Sequence, residues 1–424
     1  MYLLGILVMV LGIIISVAIH ELGHLLPAKK FGVYVPEYMV GFGPKLWSFK
    51  KGDTEYGVKA ILLGGYVRLV GMFPPAKPGT KLVNRRGQQT LAEEARQQSQ
   101  SEIPPGKEHQ AFYRLKTWQK LIVMFGGPFT NLVLAVAGLA VVIMGVGLPQ
   151  PVPTVERSLS CLGTLETTCS AENPVSPAVA AGLEPGDKVI SLAGQPVERF
   201  GDLGQILKTL PVDSAGTLAP VEVRFLRAGV EQQAQITPVM YQGAPKLGII
   251  GRIERVQGSF TDVLTQTYEA SKQTVSILFV LPQKVWQTAE SMVTGKPRQP
   301  DSVLSIVGVT RLAGEATSLP AEAPGGREVT FIDRFAVLLS LWSSLNLALF
   351  IFNMIPLPPL DGGHIAGALY EGGRRMLYRL LGRPDPGPAD TARLVPLAQV
   401  MVMLLVGMSV VLIVADIVNP IRLG

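Results

Sequence analysis

Charge is scarce in this chain: 17% of its 424 residues are Asp, Glu, Lys or Arg, against 48% that are hydrophobic. So few charges exclude an ordinary soluble enzyme, yet they are too many for a chain lying wholly in lipid, and membrane spans plus one water-exposed module fit. Cysteine is scarcer still, with two residues, Cys161 and Cys169. One short-loop disulfide and two unpaired thiols are both open readings of that pair. The net charge of +6 is gathered in loops, without the aromatic-interleaved basic surface that would argue for nucleic acid, so no nucleic-acid partner is expected. The first apolar run lacks a basic leader and an obvious small-residue cleavage site, and Lys29 and Lys30 follow it. It is expected to stay attached as a span and not to be removed as a signal peptide.

Four apolar runs are long enough to cross a bilayer: Tyr2 to Leu26, Leu121 to Leu148, Phe335 to Pro359 and Leu394 to Ala415. Lys and Arg are in excess between Lys29 and Lys120 and again in the loop holding Arg374, Arg375, Arg379, Arg383 and Arg393. Both loops are therefore expected on the cytoplasmic side, which puts the segment from Pro149 to about Asp333, with both cysteines, outside. From Phe260 to Thr294 a helical pattern is too polar at its flanks to span, and an amphipathic helix lying on the outer face is expected ahead of a fifth span. The Gln-rich stretch from Arg85 to Gln110 reads as a solvated loop, and His109 within it as a surface histidine.

Inside the first apolar run lies His20-Glu21-Leu22-Gly23-His24. On a helix two histidines four apart share a face, with about 6 Å of rise between them, so both imidazoles can reach one Zn²⁺ while Glu21 acts as general base on water. Ionisable groups at membrane depth are costly and mark function by default. After the third run comes Asn353-Met354-Ile355-Pro356-Leu357-Pro358-Pro359-Leu360-Asp361-Gly362. Its prolines cannot continue a helix, and irregular backbone at that depth must be buried in protein or line a wet cavity. Asp361 can supply a third, oxygen ligand; read blandly it is a turn residue or helix cap. His364 lies three residues on, near the centre or merely structural, and Asp416 reads as an interfacial or capping residue.

Together these two motifs resemble the site-2 protease family of intramembrane zinc metalloproteases, in particular the bacterial regulator-of-sigma-E protease branch. Gly126-Gly127-Pro128-Phe129-Thr130-Asn131 is similar to a further segment of that family. The resemblance implies that His20, His24 and Asp361 bind zinc, that Glu21 is the base, and that Asn353 and Asn131 hydrogen-bond substrate backbone or a neighbouring group. For both amides the plain alternative is helix-to-helix hydrogen bonding. Ser176 to Gly194 resembles a PDZ domain of the bacterial protease type, single here where close relatives carry two. Such a domain binds extended peptides at a sheet edge, and a steric filter is an equal contender. Glycine-punctuated short strands between Gly41 and Met72 read as hairpins, which in the family dip into the membrane and can hold an unwound substrate by strand addition.

The expected fold is a polytopic α-helical membrane protein of about four transmembrane helices, with a membrane-associated β-hairpin region and an extracytoplasmic α+β PDZ domain. Its plan runs from a first span with the histidine motif (1–30) through a cytoplasmic, membrane-reentrant β region and polar loop (31–120) to a second span (121–148). A PDZ domain (152–241) and an extracytoplasmic linker with an amphipathic helix (242–332) follow. A third span with its proline segment (333–362), a cytoplasmic loop (363–393) and a last span (394–418) complete it. The expected activity is zinc endopeptidase cleavage of single-pass membrane proteins of the anti-sigma-factor or signal-peptide type, in the inner membrane, with the site opening to the cytoplasm. The alternatives are a PDZ-based membrane adaptor or an inactive homologue. A metal or small-solute transporter is disfavoured, because no inverted repeat is visible and transport needs no general base beside its first ligand.

Overall fold

The structure is a computed structural model that describes residues 1–163, 169–170, 173–213, 217–299, 302–318, 322–323 and 327–421. It divides into two compact units, one formed by Met1–Val142 with Ser259–Gly424 and the other by Ile143–Gly258. Four helices are long and apolar enough to cross a membrane: Tyr2–Lys30, Thr117–Val146, Phe331–Asn353 and Thr391–Val418. The protein is polytopic, with β structure added to the helices.

The first unit begins with helix α1 (Tyr2–Lys30), whose last turn carries Lys29 and Lys30 against the carbonyl end of its dipole. Strands β1 (Glu37–Lys51) and β2 (Thr54–Val67) then form one long antiparallel hairpin. Lys51 faces Thr54 at the turn, and Tyr38, Met39 and Val40 face Val67, Tyr66 and Gly65 at the far end. The same three residues also lie opposite Tyr56, Gly57 and Val58, so the hairpin doubles back on itself. The bend needs glycine: Gly41 has φ +93°, and a Cβ there would come within 2.8 Å of the Ile61 carbonyl oxygen. As a result Tyr38–Val40 is flanked on both sides, and the outer edge of Gly65–Val67 has no strand partner among the described residues.

Helix α2 (Leu91–Ser101) falls in the stretch read as a solvated loop. Its Arg96 is buried, forking Asp390 at 3.1 and 2.8 Å and pairing with Glu93 at 2.9 Å, so this segment is docked and not free in water. Helix α3 (Thr117–Ala140) follows.

In the second unit the chain runs β3 (Leu148–Ser158), α4 (Pro177–Ala180), β4 (Lys188–Leu192), β5 (Gln195–Pro196), α5 (Phe200–Thr209), β6 (Val221–Arg227) and β7 (Val230–Ile236). The short strands β8 (Val239–Tyr241) and β9 (Ala244–Lys246) pair with each other, and β10 (Ile249–Val256) ends the unit. The main sheet has the order β10-β3-β4-β6-β7, with β5 added to β4. Alternate residues of β6, Val223 and Phe225, point inward onto Leu203, Ile206 and Leu207 of α5. Cys161 and Cys169 form a disulfide.

The chain returns to the first unit with α6 (Phe260–Thr294), capped by Ser259 and Asp262 and closed by Gly295 in the left-handed conformation. It is not among the helices long and apolar enough to cross a membrane. It packs alongside α3, and its Ala270 and Leu278 join a cluster with Ala135 of α3 and with Leu347 and Ile351. Helices α7 (Ile306–Thr317), α8 (Phe331–Asn353), α9 (Asp361–Leu380) and α10 (Val395–Val418) complete the unit. The third span stops at Asn353, before the prolines, and Asp361 opens the first turn of α9. Helices α1, α3 and α8 pack on one another, and α10 packs chiefly on α6 and α7.

Candidate metal centre

Three side chains from two distant stretches converge. His20 and His24 project from one face of α1, and Asp361 enters from the start of α9. The separations are 3.3 Å between the two Nε2 atoms, 3.3 Å from His20 Nε2 to Asp361 Oδ2 and 3.4 Å from His24 Nε2 to the same oxygen. Four-coordinate tetrahedral Zn²⁺ with bonds of roughly 2.0–2.1 Å to nitrogen and oxygen requires donors roughly 3.3–3.4 Å apart. The nearly equilateral triangle therefore fits the ion. Asp361 Oδ2 is buried without a hydrogen-bond partner among the described residues, as an atom reserved for a metal would be. No other group of three or more His, Cys, Asp or Glu among the described residues has this convergence.

The orientation of His24 is set from behind. Its Nδ1 donates to the Val123 carbonyl of α3 at 2.8 Å, which leaves the Nε2 lone pair for a metal. Helix α3 comes this close because both helices lack side chains at the crossing. A Cβ on Gly23 would lie 2.3 Å from the Gly126 carbonyl oxygen, one on Gly126 2.0 Å from that of Gly23, and one on Gly127 2.2 Å from His24 Nε2. Small residues at a helix crossing let backbones touch. The sequence reading gave Gly126 and Gly127 no task of their own; a glycine pair in one span opposite the glycine of HELGH in another was the available signal.

A cavity of about 320 Å³ opens over the triangle. Glu21, Asn353 and His364 line it, and so do Gly65, Tyr66 and Val67 of β2. Gly65 is needed for this approach, since a Cβ would sit 3.1 Å from Glu21 Cγ and from Val17 Cγ1. Tyr38 fixes the hairpin to α1 by donating its hydroxyl to the Ala18 carbonyl at 2.7 Å. Sequence reasoning read Gly65 only as punctuation of the hairpin and did not single out Tyr66. Asn131 is not among the cavity residues; it is buried on α3, with its Oδ1 unpartnered among the described residues. Next to it Thr130 Oγ1 donates to Gly127 O at 2.7 Å and to Ile19 O at 3.3 Å, again joining α3 to α1. His109 is exposed, away from the centre.

Residues 8–380 match the model of peptidase family M50. The chain belongs to peptidase family M50. Membership makes it a zinc metalloprotease, with Zn²⁺ as its cofactor. Among curated relatives it is similar to zinc metalloprotease Rip1 of Mycobacterium tuberculosis, 30% identical over 100% of this chain and 99% of that protein. It is also similar to Rip1 of Mycolicibacterium smegmatis, 29% identical over the same shares. Metalloprotease MmpA of Caulobacter vibrioides is 26% identical over 87% of this chain and 88% of its own length. The M50 match contains both halves of the metal triangle, α1 and the start of α9.

Proposed function

We propose that this M50 peptidase cuts single-pass membrane proteins within or beside their transmembrane segment, at the centre formed by His20, Glu21, His24 and Asp361. The observation that carries the reading is the meeting of the three donor atoms, Glu21 and an unpaired strand edge around one cavity. His20, His24 and Asp361 would hold Zn²⁺, whose chemistry when bound is to acidify water and polarise a carbonyl. Glu21 takes a proton from the attacking water and returns it to the leaving amine. A peptide bond in a helix is shielded by its own hydrogen bonds, so the substrate must first open into a strand. The edge of Gly65–Val67 can accept that strand by β-addition, beside Glu21. Asn353, on the cavity wall, hydrogen-bonds the substrate backbone, and Asn131 acts from within the bundle on a neighbouring group.

The reading extends to topology. The basic loops lie in the cytoplasm, the site opens toward them, and the Ile143–Gly258 unit is an extracytoplasmic PDZ-like domain that selects or excludes substrates. Anti-sigma factors already shortened by a first protease, and leftover signal peptides, are the expected substrates in the inner membrane. Metal analysis paired with cleavage of a transmembrane reporter tests the proposal. Asp361→Ala is expected to weaken zinc binding by at least about 100-fold, since it removes a ligand and not merely a supporting contact. Glu21→Gln is expected to keep zinc and lose about 10²–10⁴ in kcat. Cleavage retained by Glu21→Gln, or full zinc retained by Asp361→Ala, would overturn the assignment.

A further inference from the structure

The second half of α9 presents an apolar face that the rest of the described chain leaves largely uncovered. Leu369, Tyr370, Met376, Leu377, Leu380 and Leu381 recur at helical spacing, so they share one side of the helix, and each is between 53% and 73% exposed. The opposite side is closed by the chain that returns after the helix. Arg374 Nη2 donates to the Gly387 carbonyl at 2.6 Å, and Arg375 reaches Glu371 at 3.3 Å and Asp385 at 3.6 Å. Glu371 is held in turn by Lys120 of α3 at 2.8 Å. The polar groups of the helix therefore meet protein, and its bare side is apolar.

This face emerges at the end of the membrane-crossing helices. Asp361, at the start of α9, meets His24, which lies against Gly127 of α3; Gly372 lies against Thr117, the first residue of α3. Gly127 to Thr117 and Asp361 to Gly372 each span roughly 15–17 Å of helix, so α9 runs beside α3 to its end, and Met376 to Leu381 carry it beyond. That level bears the marks of a bilayer boundary. Lys29 and Lys30 close α1, Lys116 precedes α3, and Trp118 is half exposed with its ring against Phe31. Basic and aromatic side chains gather where lipid chains give way to headgroups.

We propose that this half of α9 is a docking surface for an anionic phospholipid leaflet. Arg379 and Arg383 stand at its rim, exposed, and their side chains have no ion pair or hydrogen bond among the described residues. The apolar side chains enter the acyl boundary, and the two guanidiniums take headgroup phosphates. A zwitterionic headgroup offers a phosphate too but carries a compensating amine, so lipid of net negative charge is preferred. A second copy of the chain fits worse, since a twofold contact brings the same patch against itself and sets unpaired arginines against unpaired arginines.

A fluorescent label on Leu380→Cys in purified full-length protein, reconstituted into liposomes, reads what covers the face. Cys161 and Cys169 are joined to each other, so the new thiol is the one labelled. At low salt, phosphatidylglycerol spin-labelled in the upper acyl chain is expected to quench the label at about one twenty-fifth of the concentration needed with the phosphatidylcholine analogue, about fivefold for each arginine. Arg379→Gln or Arg383→Gln should each leave a preference of about fivefold, and the double variant about none. Zinc content equal to that of the unsubstituted protein checks that the variants are folded. Equal quenching by the two lipids with both arginines present, a preference untouched in the double variant, or no quenching by either lipid overturns the proposal. Self-quenching that grows with protein density in place of lipid quenching overturns it in favour of a second copy. None of these readings depends on cleavage, so the protease reading stands or falls separately.

Discussion

At Gly127 a missing side chain leaves the space that the His24 imidazole occupies. A Cβ there would fall 2.2 Å from Nε2, 2.6 Å from Cε1 and 2.7 Å from Cδ2, contacts that no rotamer of alanine relieves. Gly127→Ala should therefore push His24 off its hydrogen bond to Val123 and out of the triangle. Zinc affinity is expected to fall by at least about tenfold, the loss typical of disturbing a ligand's support. The control is Gly407→Ala in α10, where an added Cβ meets nothing within 4 Å; zinc content and reporter cleavage should both stay at wild-type level. His20, Glu21 and His24 could be read from the sequence because their spacing alone places them on one helix face. Asp361 was legible through the proline cluster before it, which forces the chain open near the metal. Gly127 was not, because its role is to make room, and the room is claimed by a residue 103 positions earlier in the chain.

Among the elements, the sheet of the Ile143–Gly258 unit holds a half-buried ion pair that ties its stability to pH. Asp187 accepts from Arg227 Nε at 2.8 Å, from Arg227 Nη2 at 2.7 Å and from the Glu184 N–H at 2.9 Å. Burial pushes the Asp187 carboxyl up, and the Arg227 guanidinium and the Glu184 N–H more than reverse this, holding it below the usual carboxylate range. A folded value below the unfolded one means that the contribution is complete above the unfolded pKa, about 4, and is lost as pH falls through the folded value. Thermal melts of the solubilised chain should show this unit unchanged from neutral pH to about pH 5 and weakening below about pH 4, with Asp187→Asn less stable at pH 7 and flatter in acid. Of these elements, the strands around Lys188–Leu192 and Val221–Arg227 were readable from alternation and a Gly-Asp turn. The doubled-back hairpin was not, since pairing of Tyr38–Val40 with two separate stretches of β2 leaves no local periodicity. Nor was the packing of α6 on α3 and α8, because an apolar stripe does not say which helices cover it.

For the whole membrane-embedded unit, the last span depends on contacts that the sequence did not announce. Asp416, expected to be an interfacial or capping residue, is buried near the end of α10 and paired with Arg298 at 2.5 Å, both side chains 1% exposed. It also accepts from the Ser305 N–H at 2.7 Å, while Arg298 Nη2 donates to the Val303 carbonyl at 2.7 Å. The pair thus ties α10 to the connection between α6 and α7, the two helices on which it chiefly packs. Four spans could be counted from hydropathy, but their pairing depends on single polar contacts between residues more than 100 positions apart, such as this one. Removing one partner strands the other charge in a buried site, which costs about 3–5 kcal/mol, whereas replacing both by apolar side chains of similar volume is often neutral. Arg298→Met alone should accordingly lower the unfolding free energy by about 3–5 kcal/mol, and Arg298→Met with Asp416→Leu should recover most of that loss. Denaturant titration of the two variants in the same detergent reads the difference directly. A double variant as unstable as the single one would mean that α10 is held by the hydrogen bonds to Ser305 and Val303 and not by the charge pair.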